Sequence, residues 1–542
     1  MIRLSLLAVY ISGAALYAVK DWYKSLCALV LLMAVVEHPD MPKTILGIQG
    51  LNPWNLLFLA VVATWVSGRR REGLTWDLPP RITALLVGYL AVVLVGFLRM
   101  MADRTNLDDS AMSLTSENLV NTIKWVVPGL LLYDGCRTRE RFRMALLCTL
   151  GVYLLLGIQV IRWMPLSAAV NGDSLSERSL KILINEVGYH RVNMSAMLAG
   201  AAWAIFAARA IGETTRQRAL ILLASITAVF AQALTGGRAG YVTFACVGFI
   251  LCLLRWRVYL LVAPIAVAGI LVVAPGVAQR MLEGFTPDTR SVPKRIQALE
   301  GTNTQGPDAY TITAGRVIVW PFVIAKIKER PWIGYGRLAM VRTGLTRFLS
   351  VQLDEGFSHP HNAYLEMLLD NGLLGFVIVM PFYGLVLFYS IRLFRDSRSA
   401  IFVAVGGASA ACILGLLIAS MASQSFYPRE GWVSMWCLIF LMLRVWVQRD
   451  YFLSAQAAEA RQLLSRPRSF GPRLLAPVRE PAVPAAARDL APGTSRRPPR
   501  RAPAYADAIP TISEDALWGA GATVRPELPL GRPVRPGVWR PV

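Results

Sequence analysis

The chain has 542 residues, of which 55% are hydrophobic and only 17% charged. A soluble protein of that length exposes far more charge, so the composition excludes an ordinary soluble domain and points to a polytopic membrane protein. The formal net charge of +22 would suit nucleic acid, but the arginines stand in short clusters between apolar runs, as the positive-inside rule requires of cytoplasmic loops.

Apolar runs fall near residues 4–19, 25–37, 53–67, 82–101, 119–134, 144–163, 192–211, 219–235, 239–255, 258–275, 372–391, 400–420 and 431–448. The first is followed by Lys20-Asp21-Trp22-Tyr23-Lys24, which offers no small-residue cleavage site, so it is expected to stay as an anchor. Taken singly, the runs predict thirteen spans. If the two short runs before Glu37 amount to one crossing, there are twelve and Met1 lies inside. The expected fold is all-α, a polytopic helical membrane protein of about 12–13 transmembrane helices.

The connections alternate in charge. Arg69-Arg70-Arg71, Arg137 to Arg143, Arg216 to Arg218, Arg255 to Arg257 and Arg392 to Arg398 share one side if the spans simply alternate. The other side receives 103–117, 171–186, a long loop near 276–371, and 423–430. The expected division is N-terminal helices over 1–275, a large extracytoplasmic loop with helices of its own over 276–371, C-terminal helices over 372–448, and a cytoplasmic tail over 449–542. After about residue 452 the chain holds fifteen of its 32 prolines, many arginines and no lysine. So little apolar surface cannot offset the entropy of ordering, and a disordered tail is expected.

Within the long loop, 276–305 is polar and turn-rich, and Gly315-Arg316 opens a helical stretch expected to put Trp320, Ile324 and Ile327 on one face, kinked at Pro321. Pro331-Trp-Ile-Gly-Tyr-Gly336 reads as a turn. The seven cysteines show no metal-ligand spacing, and Cys148, Cys246, Cys252, Cys412 and Cys437 fall within apolar runs.

Chemistry-bearing residues gather at the outer side. Thr235-Gly-Gly-Arg-Ala-Gly240 joins two apolar runs and places Arg238 where the positive-inside rule does not call for it. Its planar fork suits phosphate oxygens and the glycines allow close approach; a snorkelling or helix-capping arginine is the plainer alternative. Arg316 repeats the glycine–arginine pattern, and the two could clamp a pyrophosphate. His361 titrates in the right range for a general base, with Asn362 beside it to orient the ring or a sugar hydroxyl; a His-Asn helix cap is the alternative. His190-Arg191 opens another span from the outer side and could line the same vestibule. Asp108-Asp109 could hold a divalent metal, although a solvated acidic loop explains the pair as well, and Asp354-Glu355 is read the same way.

The order Thr-Gly-Gly-Arg238, Gly-Arg316 four residues before Trp320, Pro331 to Gly336, then His361-Asn362 followed by Gly372 and Gly375 resembles the O-antigen ligase and O-antigen polymerase superfamily of bacterial membrane glycan transferases. The resemblance covers roughly residues 190–440. His-Asn, nine residues, Gly, two residues, Gly marks the ligase branch and is matched in full, whereas Gly237 stands where the family typically has serine before the arginine. It implies a multi-pass protein of the inner membrane with an extracytoplasmic site. There Arg238 and Arg316 would bind the diphosphate of a polyprenyl-linked glycan, and His361 would activate an acceptor hydroxyl. Inverting transfer would proceed without metal or cofactor, and the partners would be the lipid-linked donor, a saccharide or lipid-linked acceptor and membrane lipid. Two other readings stay open: a polymerase of the same superfamily, or a lipid-linked glycan flippase or transporter, which would place charges mid-membrane, where Lys124 is the clearest example.

Overall fold

The computed structural model describes residues 2–45, 47–283, 285, 312–353, 356–450 and 452–454. Nearly all of the expected tail, most of the polar stretch 276–305 and the Asp354-Glu355 pair lie outside them. Among the described residues the regular structure is helical, apart from a minimal hairpin pairing Thr44–Ile45 with Ile48–Gln49. Among the described residues, seven helices are long and apolar enough to cross a membrane: Pro80–Ala102, Arg139–Trp163, Arg191–Ile211, Thr215–Leu234, Ala363–Arg395, Ala400–Ala419 and Glu430–Val447. Arg3–Ala18, Trp22–Leu32 and Arg238–Leu254 are shorter apolar helices. The all-α polytopic fold expected from the sequence is the one observed.

Apolar runs and helices do not correspond one to one. The run 119–134 is divided into a π-turn at Ser116–Val120, a short helix Asn121–Lys124 and a second helix Val127–Gly135. Pro128 sits in the first turn of that second helix, where its missing N–H costs nothing. The helix after His361 begins at Ala363, nine residues before the apolar run expected at 372. Hydropathy discounts Glu366, Asp370 and Asn371, yet all three are helical and buried because polar partners reach them.

The core is built on close backbone approach. Arg191–Ala208 packs along Ala400–Ala419. A Cβ added to Gly200 would lie 3.1 Å from the Ala411 oxygen, and one on Gly415 would lie 3.2 Å from the Gly200 Cα. Small residues at such contacts gain dispersion energy that bulky ones would block. Trp436 stacks on Tyr89 and Phe382, joining three further helices.

One feature ties the long loop to this core. The helix Ala363–Arg395 is interrupted at Gly372 (φ 65°, ψ −169°), a backbone conformation that glycine supplies without strain. The expected turn at 331–336 threads into the gap. Tyr335 N donates to Leu369 O (2.9 Å) and Gly336 N to Asp370 O (2.6 Å), while Leu373 N donates to Pro331 O (2.8 Å) and Leu374 N to Trp332 O (3.0 Å). The groups left unpaired by the break are thus satisfied by the loop. A Cβ on Gly372 would sit 2.3 Å from Trp332 C, so no other residue fits there. Beneath the turn, Arg337 pairs with Glu366 (3.1 Å) and lies over the Tyr427 ring (3.5 Å). Ser425 Oγ donates to Glu366 (2.7 Å), and Tyr427 Oη donates to Asp370 (3.0 Å). Buried charges persist only when paired and hydrogen-bonded in this way.

The loop helix Arg316–Glu329 also forms as expected, continuous through Pro321 in its second turn. Its buried stripe is Val319, Val323 and, partly, Ile327, and not the expected Trp320–Ile324–Ile327 face; Ile324 is exposed. Trp320 turns instead to the His loop, where its indole N–H donates to Pro360 O (3.1 Å).

Candidate active site

The helix termini converge on one cavity of about 540 Å³. His190, Arg191, Arg238, Arg316 and His361 all line it, joined by Arg280 and Glu283. Arg191, Arg238 and Arg316 are each the first residue of a helix. Glycine precedes the last two, Gly237 and Gly315, and Gly315 has φ 80°.

The departure at Gly237 has a steric cause. A Cβ there would lie 2.6 Å from Ser195 Cβ, and one on Gly240 would lie 1.8 Å from Ser195 Oγ. Ser195 Oγ donates to Gly237 O (3.0 Å), fixing the turn that aims Arg238 into the cavity. Opposite, burial and the neighbouring Arg238 pull the Arg316 guanidinium down to about 10, which still leaves it charged at neutral pH. Arg191 is held by Ser176, to whose carbonyl (2.7 Å) and hydroxyl (2.6 Å) one terminal nitrogen donates.

His361 lies on the link just before Ala363–Arg395 with φ 51°, in the left-handed region that a non-glycine residue enters at a cost of about 1–3 kcal/mol. Its Nδ1 is 2.8 Å from Ser423 Oγ, and its ring lies 4.0 Å from that of His359, centroid to centroid. Burial, then His359, Arg316 and His190, pull its pKa down to about 3. The imidazole is therefore neutral throughout the physiological range. Burial, with Arg191 and Arg316, lowers His190 as well.

The remaining expected residues fall elsewhere. Asn362 caps the following helix, its Oδ1 accepting from Tyr364 N (3.0 Å) and Leu365 N (3.2 Å), and it is absent from the cavity lining. The capping alternative thus describes Asn362, while His361 faces the cavity. His190 combines both roles, its Nδ1 accepting from Val192 N (3.3 Å) while it lines the cavity. Asp108 and Asp109 are exposed and away from it. Lys124, the charge that would mark a transport path, donates to Asn55 (3.1 Å) and lies over Trp125 (4.3 Å), also away from it. Sequence reasoning missed Ser423, Arg280 and Glu283. Single serines and loop charges carry no spacing signal.

The fold and this site define a polytopic membrane protein with an arginine-lined, histidine-edged cavity suited to a polyanionic ligand. Residues 223–380 match the family model described as O-antigen ligase. The match spans Arg238, Arg316 and His361. Over 143 residues the chain is 25% identical to an "O-antigen ligase" of Pseudomonas aeruginosa, covering 26% of this chain and 33% of the relative. It is 28% identical over 139 residues to a Rickettsia conorii protein named "Putative polysaccharide ligase", covering 24% of this chain and 32% of that one. The chain thus spans about a third of the length of the curated relatives it matches.

Proposed function

We propose that this protein transfers a glycan from a polyprenyl-diphosphate carrier to an acceptor hydroxyl at the outer face of the inner membrane. The observation that carries the reading is the convergence of Arg238, Arg316 and His361, far apart in sequence, on one cavity. Arg238 and Arg316 hold the diphosphate and stabilise the charge that grows on it as the glycosidic bond breaks. His361, neutral and with Nδ1–H donating to Ser423, keeps Nε2 as its acceptor for the acceptor-hydroxyl proton. The oxygen attacks the anomeric carbon from the face opposite the leaving diphosphate, so the configuration inverts. One proton moves to the imidazole, and one bond forms as one breaks. The donor carries the energy, so no nucleotide is needed. The family match supports a glycan ligase over a transporter, as does the position of Lys124 away from the cavity.

Deleting the gene in its host and separating surface polysaccharide on gels tests the reading. The expected result is loss of long chains joined to their lipid acceptor, with free polymer retained. Loss of polymer with single repeats retained assigns a polymerase, and unchanged glycan linkages with donor trapped inside assign a flippase.

The five basic clusters support an outer position for the long loop and a cytoplasmic tail. Reporter fusions at Gln305 and Ser469 should report outside and inside respectively. An external signal at Ser469 overturns this orientation.

A further inference from the structure

Four arginines, Arg191, Arg238, Arg280 and Arg316, line a cavity in which Glu283 is the one acid among the described residues. Arg280 is 9% exposed and belongs to the short helix Pro275–Leu282. Its Nε donates to Gly236 O (3.4 Å), in the same glycine turn that presents Arg238. The Glu283 carboxylate pairs with Arg280 and lies 3.9 Å from Arg238, whose Nη1 also donates to the Glu283 carbonyl (3.2 Å). One carboxylate therefore bridges two guanidinium groups in the cavity.

We infer that Arg280 is a third ligand of the donor diphosphate and that Glu283 is its internal stand-in, displaced when the diphosphate binds. This rests on the transfer reading proposed above. A carboxylate presents two oxygens to a guanidinium fork much as one edge of a phosphate does. Four like charges, one buried and three half-buried, repel one another, and a fixed carboxylate offsets part of that repulsion while the cavity is empty. A diphosphate brings more negative charge than Glu283 and more acceptor oxygens, so it wins the arginines at the cost of breaking the Glu283 contacts. A monoanion does not. The same competition runs in reverse after transfer, when Glu283 reclaims Arg238 and Arg280 and helps the spent carrier leave. Affinity is thereby exchanged for turnover and for selection of polyanions.

The test is titration of the detergent-solubilised full chain with inorganic pyrophosphate, the probe standing for the head of the carrier. Glu283→Gln should tighten binding about 5- to 100-fold, the usual range for coupling between two competing interactions. Arg280→Ala should weaken it at least about 10-fold, and Arg280→Lys should recover only part of that, an ammonium lacking the fork. Melting of each variant with and without saturating pyrophosphate separates fold from binding. Glu283→Gln should melt lower than the parent when empty and gain more on saturation, whereas a purely structural carboxylate would lower both by the same amount. Unchanged or weaker affinity in Glu283→Gln overturns the inference, as does unchanged affinity in Arg280→Ala. Arg238→Ala is the control for the underlying reading. If it binds pyrophosphate normally, the diphosphate site itself is lost and the inference with it; if it fails to bind while the Glu283 and Arg280 variants match the parent, only the inference is lost.

Discussion

His361→Ala should reduce glycan transfer by about 10²- to 10⁴-fold, the range typical for loss of a general base, while pyrophosphate binding changes little. The diphosphate is assigned to arginines, and the imidazole to the acceptor side. His359→Ala, whose ring lies 4.0 Å from that of His361, is the local control and should be mild. The structure also alters the expected pH dependence. A histidine titrating near its ordinary value would lose activity as the pH fell below about 6.5. Burial and three neighbouring cationic or ionisable groups instead pull His361 down to about 3, so it stays neutral through that window. In the free protein, kcat/KM should therefore be flat from about pH 8 to about pH 5 and fall only at more acid values. An acid limb centred near 6.5 would show that His361 is solvated in the working state. Rates equal to the parent in His361→Ala would remove it from the chemistry.

Arg238→Lys and Arg316→Lys should impair transfer almost as severely as the alanine variants. A guanidinium offers two parallel donors in a fixed plane, and an ammonium offers a point charge that cannot reproduce them. Losing one such contact to charge developing on the leaving diphosphate costs about 2–4 kcal/mol, or roughly 30- to 1,000-fold in rate. Arg316 should be the more sensitive of the two to added bulk, because its approach is set by Ala314 and Gly315, both with positive φ. Measurement is by single-turnover transfer at matched expression. Near-parental rates in both lysine variants would make these arginines structural.

The three proposed reacting residues were legible because each sits beside a short local signature. Glycine before arginine marks a helix start with open backbone, and His-Asn marks a helix entry. Glu283, Arg280 and Ser423 were not legible, because packing alone brings the first two to the cavity and Ser423 to His361, and no periodicity announces a lone charge in a polar loop. The helix start at Ala363 was hidden by the same limitation. Glu366 and Asp370 look like loop residues until Arg337, Ser425 and Tyr427 arrive from elsewhere in the chain to satisfy them. The stripe on Arg316–Glu329 was misplaced by one position, since Trp320 is large and apolar but spends its N–H on Pro360. Helix content and multi-pass character follow from composition, whereas side-chain partnership does not.

The interlock at Gly372 has a consequence for biogenesis. Arg337 N donates to Gly96 O (2.9 Å), and Arg99 donates to Gly334 O (2.7 Å). One knot thus joins a helix near residue 100, a turn near 335 and a helix near 370. During synthesis the first of these emerges more than 230 residues before its partners, at roughly 5–20 residues per second. For at least ten seconds or so at such rates, Arg99 and Gly96 wait in the bilayer boundary without the contacts that will satisfy them. The cavity cannot assemble before translation has passed the second half of the broken helix. A chain truncated within 373–395 should therefore insert its early helices and still present no site.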